Sequence, residues 1–102
     1  MKLPVRHEAF VELDEAITFY EEQRPGLGLE LLDAVAATVS FAAAFPEAGE
    51  SRGGSLERFE TRRYLVKRFP YLVYVATVHG RREVIAIAHA SRRPGYWRDR
   101  LG

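Results

Sequence analysis

The stretch TRRYLVKRFPYLVYVATVHGRREVIAIAHAS, residues 61–91, decides the fold. It is rich in β-branched and aromatic residues and is broken at Arg68-Phe69-Pro70 and at His79-Gly80. Apolar runs of strand length between turn signals predict three strands, over 59–67, 71–78 and 82–90. Short connections make them antiparallel neighbours. Side chains alternate along a strand, so Arg63, Leu65 and Lys67 share one face of the first strand, and Arg62, Tyr64, Val66 and Arg68 share the other. In the last strand, Ile85, Ile87 and His89 fall on one face and Val84, Ala86, Ala88 and Ala90 on the opposite one. Pro94 stops that strand, and residues 96–101 are predicted as a terminal turn or short helix.

Upstream the period changes. Phe10, Leu13, Ile17 and Tyr20 recur at helical spacing, which predicts a helix over 8–24 with these four on its buried face. Glu8, Glu12, Asp14, Glu15, Glu21 and Glu22 solvate the rest, and Arg24-Pro25-Gly26 ends the helix. A second helix follows over 27–44, with Leu31, Val35, Thr38 and Ala42 in one stripe and Leu32, Val39 and Ala43 beside it. No charge lies between Asp33 and Glu47. A helix that is apolar or small nearly all round is expected to be buried on two sides, either by the first helix or by a segment of a partner. Residues 46–55 form a glycine-rich connector. Residues 2–7 read as a short strand at an edge, because Pro4 cannot donate to a ladder. The expected fold is α+β: one domain over 1–102, a helical hairpin on a small antiparallel sheet, in the order β-α-α-β-β-β.

Charge is split along the chain. Residues 1–50 carry three basic against ten acidic groups, a formal −7, and residues 51–102 carry twelve basic against four acidic, a formal +8. The overall +1 conceals this. A field that one-sided points to an anionic partner or a charged docking surface. Thirteen of the fifteen basic residues are arginine, which suits planar recognition of phosphate or carboxylate; a coding bias gives the same count, so placement says more. The chain has no cysteine, which excludes disulfides, zinc-thiolate sites and thiol nucleophiles. Met1-Lys2-Leu3-Pro4 lacks a signal-peptide pattern, and no stretch is expected to approach the roughly eighteen apolar residues of a membrane span. The expectation is a soluble, cytoplasmic protein with no membrane partner.

No glycine-rich phosphate loop is present, and His7, His79 and His89 are too far apart for a helical metal pair. No metal or cofactor is assigned. The chemistry-bearing groups are the basic sheet and tail: Arg62, Arg63, Lys67, Arg68, His89, Arg92, Arg93, Tyr96 and Trp97. Such a cluster suits a phosphate backbone. It also suits metal-free RNA cleavage, with His89 and Tyr96 as acid and base and with Arg63, Arg92 and Arg93 neutralising the phosphorane. Trp97 or Tyr96 would stack a base, worth roughly 1–3 kcal/mol. The same residues fit plainer roles. His89 shares its expected face with two isoleucines and reads equally as a core histidine. Tyr96 and Trp97 read as a cover over the open end of the core, and Arg62 and Arg63 as edge charges that deter aggregation.

In order and spacing, the whole chain resembles the RelE/ParE superfamily of bacterial type II toxins. The resemblance rests on Gln23-Arg24-Pro25-Gly26-Leu27-Gly28, Phe45-Pro46-Glu47, Arg62-Arg63-Tyr64-Leu65-Val66-Lys67-Arg68-Phe69-Pro70-Tyr71 and Val84-Ile85-Ala86-Ile87-Ala88-His89, followed by Arg92-Arg93-Pro94. It implies a growth-inhibiting toxin neutralised by a cognate antitoxin protein. RelE-like members are endoribonucleases that cut messenger RNA at the ribosome; ParE-like members block DNA gyrase. The closing His89-Ala90-Ser91-Arg92-Arg93-Pro94 and the scarcity of lysine resemble the ParE branch. The ribonuclease is the alternative, and a non-toxic module kept for antitoxin or operator binding is a second. Under the toxin reading, Arg62, Arg63, Lys67, Arg68, Arg92, Arg93 and Trp97 face the target. The uncharged surface of the second helix, at Val39, Phe41 and Phe45, receives the antitoxin.

Overall fold

The computed structural model describes residues 3–51 and 59–101. It is α+β: two helices, α1 (His7–Gln23) and α2 (Leu27–Ala44), pack on a four-stranded antiparallel sheet. The strands are β1 (Glu50–Ser51), β2 (Glu60–Leu65), β3 (Tyr71–Val78) and β4 (Arg81–His89), in that spatial order, and a short 3₁₀ turn spans Arg98–Leu101.

The helical hairpin turns at Pro25-Gly26, where Gly26 takes φ 91°. The carboxylate of Glu21 then accepts the N–H groups of Gly26 at 2.8 Å and Gly28 at 2.9 Å. An acid from α1 therefore satisfies free donors at the positive end of α2. Gly28 is required by contact: a Cβ there would stand 2.7 Å from the carbonyl oxygen of Ile17. The His79-Gly80 connection has two positive φ values, 51° and 78°, which a tight two-residue hairpin demands.

The sheet has a core on each face. On the helix side, Leu13, Leu31, Val35 and Val39 meet Tyr64, Val73, Val84 and Ile87. On the outer side, Tyr74, Ala76, Ile85 and Ala86 are covered by Trp97. The second core depends on a β-bulge. Pairing steps from Tyr74↔Ala86 to Val75↔Val84, so Ile85 is the extra residue. Strict alternation groups Ile85 with Ile87 and His89. The bulge instead sends Ile85 to the outer core and Val84 to the helix side.

Other expectations are also corrected. The amino-terminal segment is no strand: among its described residues it makes one parallel bridge, Val5↔Val84, and residues 1 and 2 lie outside the description. The fourth strand comes from the connector instead, as Glu50–Ser51 beside Arg62 and Arg63. Phe10 is exposed, and the buried face of α1 is Ala9, Leu13 and Ala16. Burial of α2 is one-sided: Leu31, Val35, Thr38, Val39 and Ala42 face the core, while Leu29, Phe41 and Phe45 remain exposed. By length and composition α2 is long and apolar enough to cross a membrane, contrary to the sequence expectation; here it packs on α1, β2 and β3.

Candidate functional site

Topology gathers cations at one end of the sheet. β2 ends at Leu65, β3 begins at Tyr71, and Tyr71 pairs with His89 at the end of β4. Lys67, Arg68, His89 and Arg92 therefore share that end. His89 is exposed, so it is not a core histidine. Its ring stands edge-on to Tyr71 at 5.4 Å, and its Nδ1 contacts Ser91 Oγ at 2.8 Å. A cleft of about 220 Å³ runs between α1 and this end of β4, lined by Glu12, Glu15, Phe19, Tyr71, His89 and Arg92.

Below the cleft sits a polar network that joins the acidic helix to the basic tail. The carboxylate of Glu12 accepts the backbone N–H of Ile87 at 3.0 Å and two guanidinium N–H groups of Arg100, at 2.9 and 3.2 Å. It also accepts the hydroxyl of Tyr96. Arg100 donates in addition to the Ile85 carbonyl at 2.9 Å. Arg6 donates to the carbonyl of Arg100 and pairs with Glu83 at 2.5 Å. The guanidinium of Arg92 lies 4.0 Å from the centre of the Tyr96 ring, a cation–π contact. Burial first, and the bond to Glu12 second, push the Tyr96 phenol far above its ordinary value. Its proton is held against a carboxylate that needs it.

The remaining candidates separate by their partners. Arg62 donates to the carbonyls of Gly49 at 2.7 Å and Glu47 at 3.2 Å, and to Glu60 at 3.0 Å. Arg63 pairs with Glu50 at 3.0 Å across β1 and β2. These two arginines hold residues 47–50 to the sheet. Arg68, at φ 72° in the β2–β3 turn, is exposed and pairs with Glu30 at 2.8 Å. That bond, the largest influence, keeps the Glu30 carboxyl below its ordinary range. Trp97 is only 3% exposed and lies against Tyr74, so it cannot stack a base. Lys67, Arg92 and Arg93 stay exposed and make no ion pair among the described residues.

Adjoining the cationic end of the sheet, α2 and the end of β2 enclose an apolar groove that shares Lys67 and Arg68 with it. Two clefts of about 440 and 430 Å³ meet at Phe41 and Leu65. Ala34, Ala37 and Thr38 form a wall, and Arg63, Lys67 and Arg68 form the rim. Phe41 packs on Phe45 at 5.0 Å, both about half exposed, and Leu65 is 79% exposed. Val39 is fully buried and belongs to the core, not to this surface.

Sequence reasoning missed Glu12, Arg100 and Arg82. Glu12 reads as one more solvated helix carboxylate, and nothing local marks partners 84 and 88 positions away. Arg82 donates to the Ala42 carbonyl at 2.9 Å, near the negative end of α2, and to the Tyr64 hydroxyl at 3.1 Å. No protein-family model matches the chain, and no curated protein matches it.

Proposed function

We propose that this chain is the toxin of a bacterial type II toxin–antitoxin pair, of the RelE/ParE kind, acting in the cytoplasm on DNA gyrase in the ParE manner. A helical hairpin followed by an antiparallel sheet, in this order, is compatible with that family. The observation that favours gyrase over messenger RNA is the fate of Tyr96. A ribonuclease of the kind drawn from the sequence needs a second proton-transfer group beside His89. The Tyr96 hydroxyl is bound to Glu12, and its phenol is shifted away from neutral pH. Trp97 is sealed in the outer core, which removes one of the two base-stacking candidates as well. What remains exposed at this end is cationic and aromatic: Lys67, Arg92, Arg93 and Phe19, beside the half-buried Tyr71. That composition suits an acidic protein surface, where charge complementarity speeds encounter.

The antitoxin takes the groove between α2 and β2 in this reading. Phe41, Phe45 and Leu65 offer apolar anchoring, and the cationic rim favours a segment carrying carboxylates beside its apolar residues. Induced expression in bacteria, with DNA and protein synthesis labelled separately, tests the proposal. The gyrase reading expects DNA synthesis to stop first, with DNA-damage signalling. Translation arrest first would return the ribonuclease, and normal growth would leave a non-toxic binding module.

A further inference from the structure

The acidic and basic halves of the chain meet at three carboxylates, Glu12, Glu30 and Glu50, and of these Glu12 is the one that bonds β4 and the tail on either side of Arg92 and Arg93. Glu12 lies on α1, three turns from the hairpin, with its side chain only 16% exposed. Its four bonds reach β4 at Ile87 and the tail at Tyr96 and Arg100. The ring of Tyr96 in turn carries the guanidinium of Arg92, and Arg100 lies 5.2 Å from the same ring. Trp97 lies between these anchors and closes the outer core. Its indole N–H has no partner among the described residues. Seating Trp97 therefore leaves a donor unsatisfied, at a cost in free energy. The neighbouring bonds must offset that cost, and Glu12 receives three of them.

We infer that Glu12 is a positioning residue: it latches the carboxyl-terminal segment onto β4 and so sets where Arg92 stands above the cleft. Glu12 does not itself touch the target. It acts through Tyr96 and Arg100, and an acid on the first helix thereby controls a cationic surface at the end of the chain. The latch deepens the proposed gyrase reading and rests on it only for its consequence. The physical event, release of residues 96–101, is measurable without any target.

The experiment has two arms. In the first, Trp97 fluorescence and its quenching by acrylamide are measured on Glu12→Gln, Tyr96→Phe, Arg100→Lys and Arg100→Gln. Glu12→Gln and Arg100→Gln should shift the emission to the red and raise quenching, with far-ultraviolet circular dichroism unchanged. Tyr96→Phe should fall between, because it keeps the ring and loses one bond. Arg100→Lys should also fall between, because it keeps a cation beside Glu12 but loses the two-pronged bond and the bond to the Ile85 carbonyl. A side chain that merely fills space would treat Lys and Gln alike. Trp97 equally sealed in all four variants overturns the latch, whatever the target proves to be. In the second arm, the same proteins inhibit supercoiling by purified bacterial DNA gyrase. The loss of a charge-assisted bond should weaken inhibition by Glu12→Gln on the order of tenfold. Inhibition equal to wild type in a variant whose Trp97 is exposed overturns the positioning role and leaves the gyrase reading standing. A wild-type protein that does not inhibit gyrase overturns the target and, with it, the consequence drawn for Arg92; the latch is then judged by fluorescence alone.

Discussion

The two sides of the sheet finish in opposite ways. Beside β4, polar groups are consumed within the chain. Val84 exchanges bonds with Pro4 and Arg6, Ile87 donates to Glu12, and the Ile85 carbonyl accepts from Arg100. Such a covered edge is a poor template for another strand. Beside β2, the short β1 matches only Arg62 and Arg63, and the next residues meet an apolar groove with Phe41, Phe45 and Leu65 exposed. The first side spends its charges on holding itself together. The second keeps apolar area uncovered, which is the side from which association gains most. The difference separates a surface that leaves apolar area uncovered from one that holds a few cations in fixed places.

The largest test of this contrast compares two positions on α2. Val39→Asp buries an unpaired charge and should abolish folding in circular dichroism, because that cost rivals a whole domain's stability of about 5–15 kcal/mol. Phe41→Asp should leave the fold intact and weaken association with the proposed antitoxin by at least about 2 kcal/mol in calorimetry. Equal unfolding by both would mean that the groove is core.

Glu12→Ala breaks the other side. It leaves Arg100, Tyr96 and the Ile87 N–H without their acceptor, so urea unfolding should show a loss of about 3–5 kcal/mol. Tyr96→Phe is smaller, about 0.5–1.5 kcal/mol, the net value of one hydrogen bond. It also carries a pH signature. The folded state raises the Tyr96 phenol, so its stabilisation is complete below the ordinary tyrosine value of about 10 and fades as pH rises beyond it. The Tyr71 phenol is raised too, by burial. The alkaline slope of stability should therefore be reduced in Tyr96→Phe, not removed. Smallest of all, Arg68→Gln loses an exposed, solvent-screened pair with Glu30 and should leave the urea midpoint indistinguishable from wild type in the same unfolding experiment.

The legibility of the sequence followed the range of the forces involved. Both helices and the three long strands lie in local periodicity, and the ends of α2 and of β3 fall where the pattern put them. The edge strand was misplaced because the amino-terminal residues look like a strand, whereas the paired residues, Glu50 and Ser51, carry no strand pattern. The faces of β4 were half wrong because a bulge shifts the period of two without any glycine to announce it. Of the candidate site, Arg92, Arg93 and Lys67 are exposed, and Phe41 lines a groove with Phe45 packed against it. Arg62, Arg63, Tyr96 and Trp97 were taken up by internal partners. The charge split was legible, but its partial closure inside the molecule, through Glu12 with Arg100 and Glu50 with Arg63, depends on contacts between distant segments.

Supercoiling of relaxed plasmid by purified bacterial DNA gyrase tests the central claim most directly. The account predicts that the wild-type protein halts supercoiling near stoichiometric amounts and leaves cleaved DNA when the gyrase complexes are denatured. It predicts relief by the proposed antitoxin. Full supercoiling under a large excess of the protein, together with cleavage of messenger RNA on translating ribosomes, would contradict it.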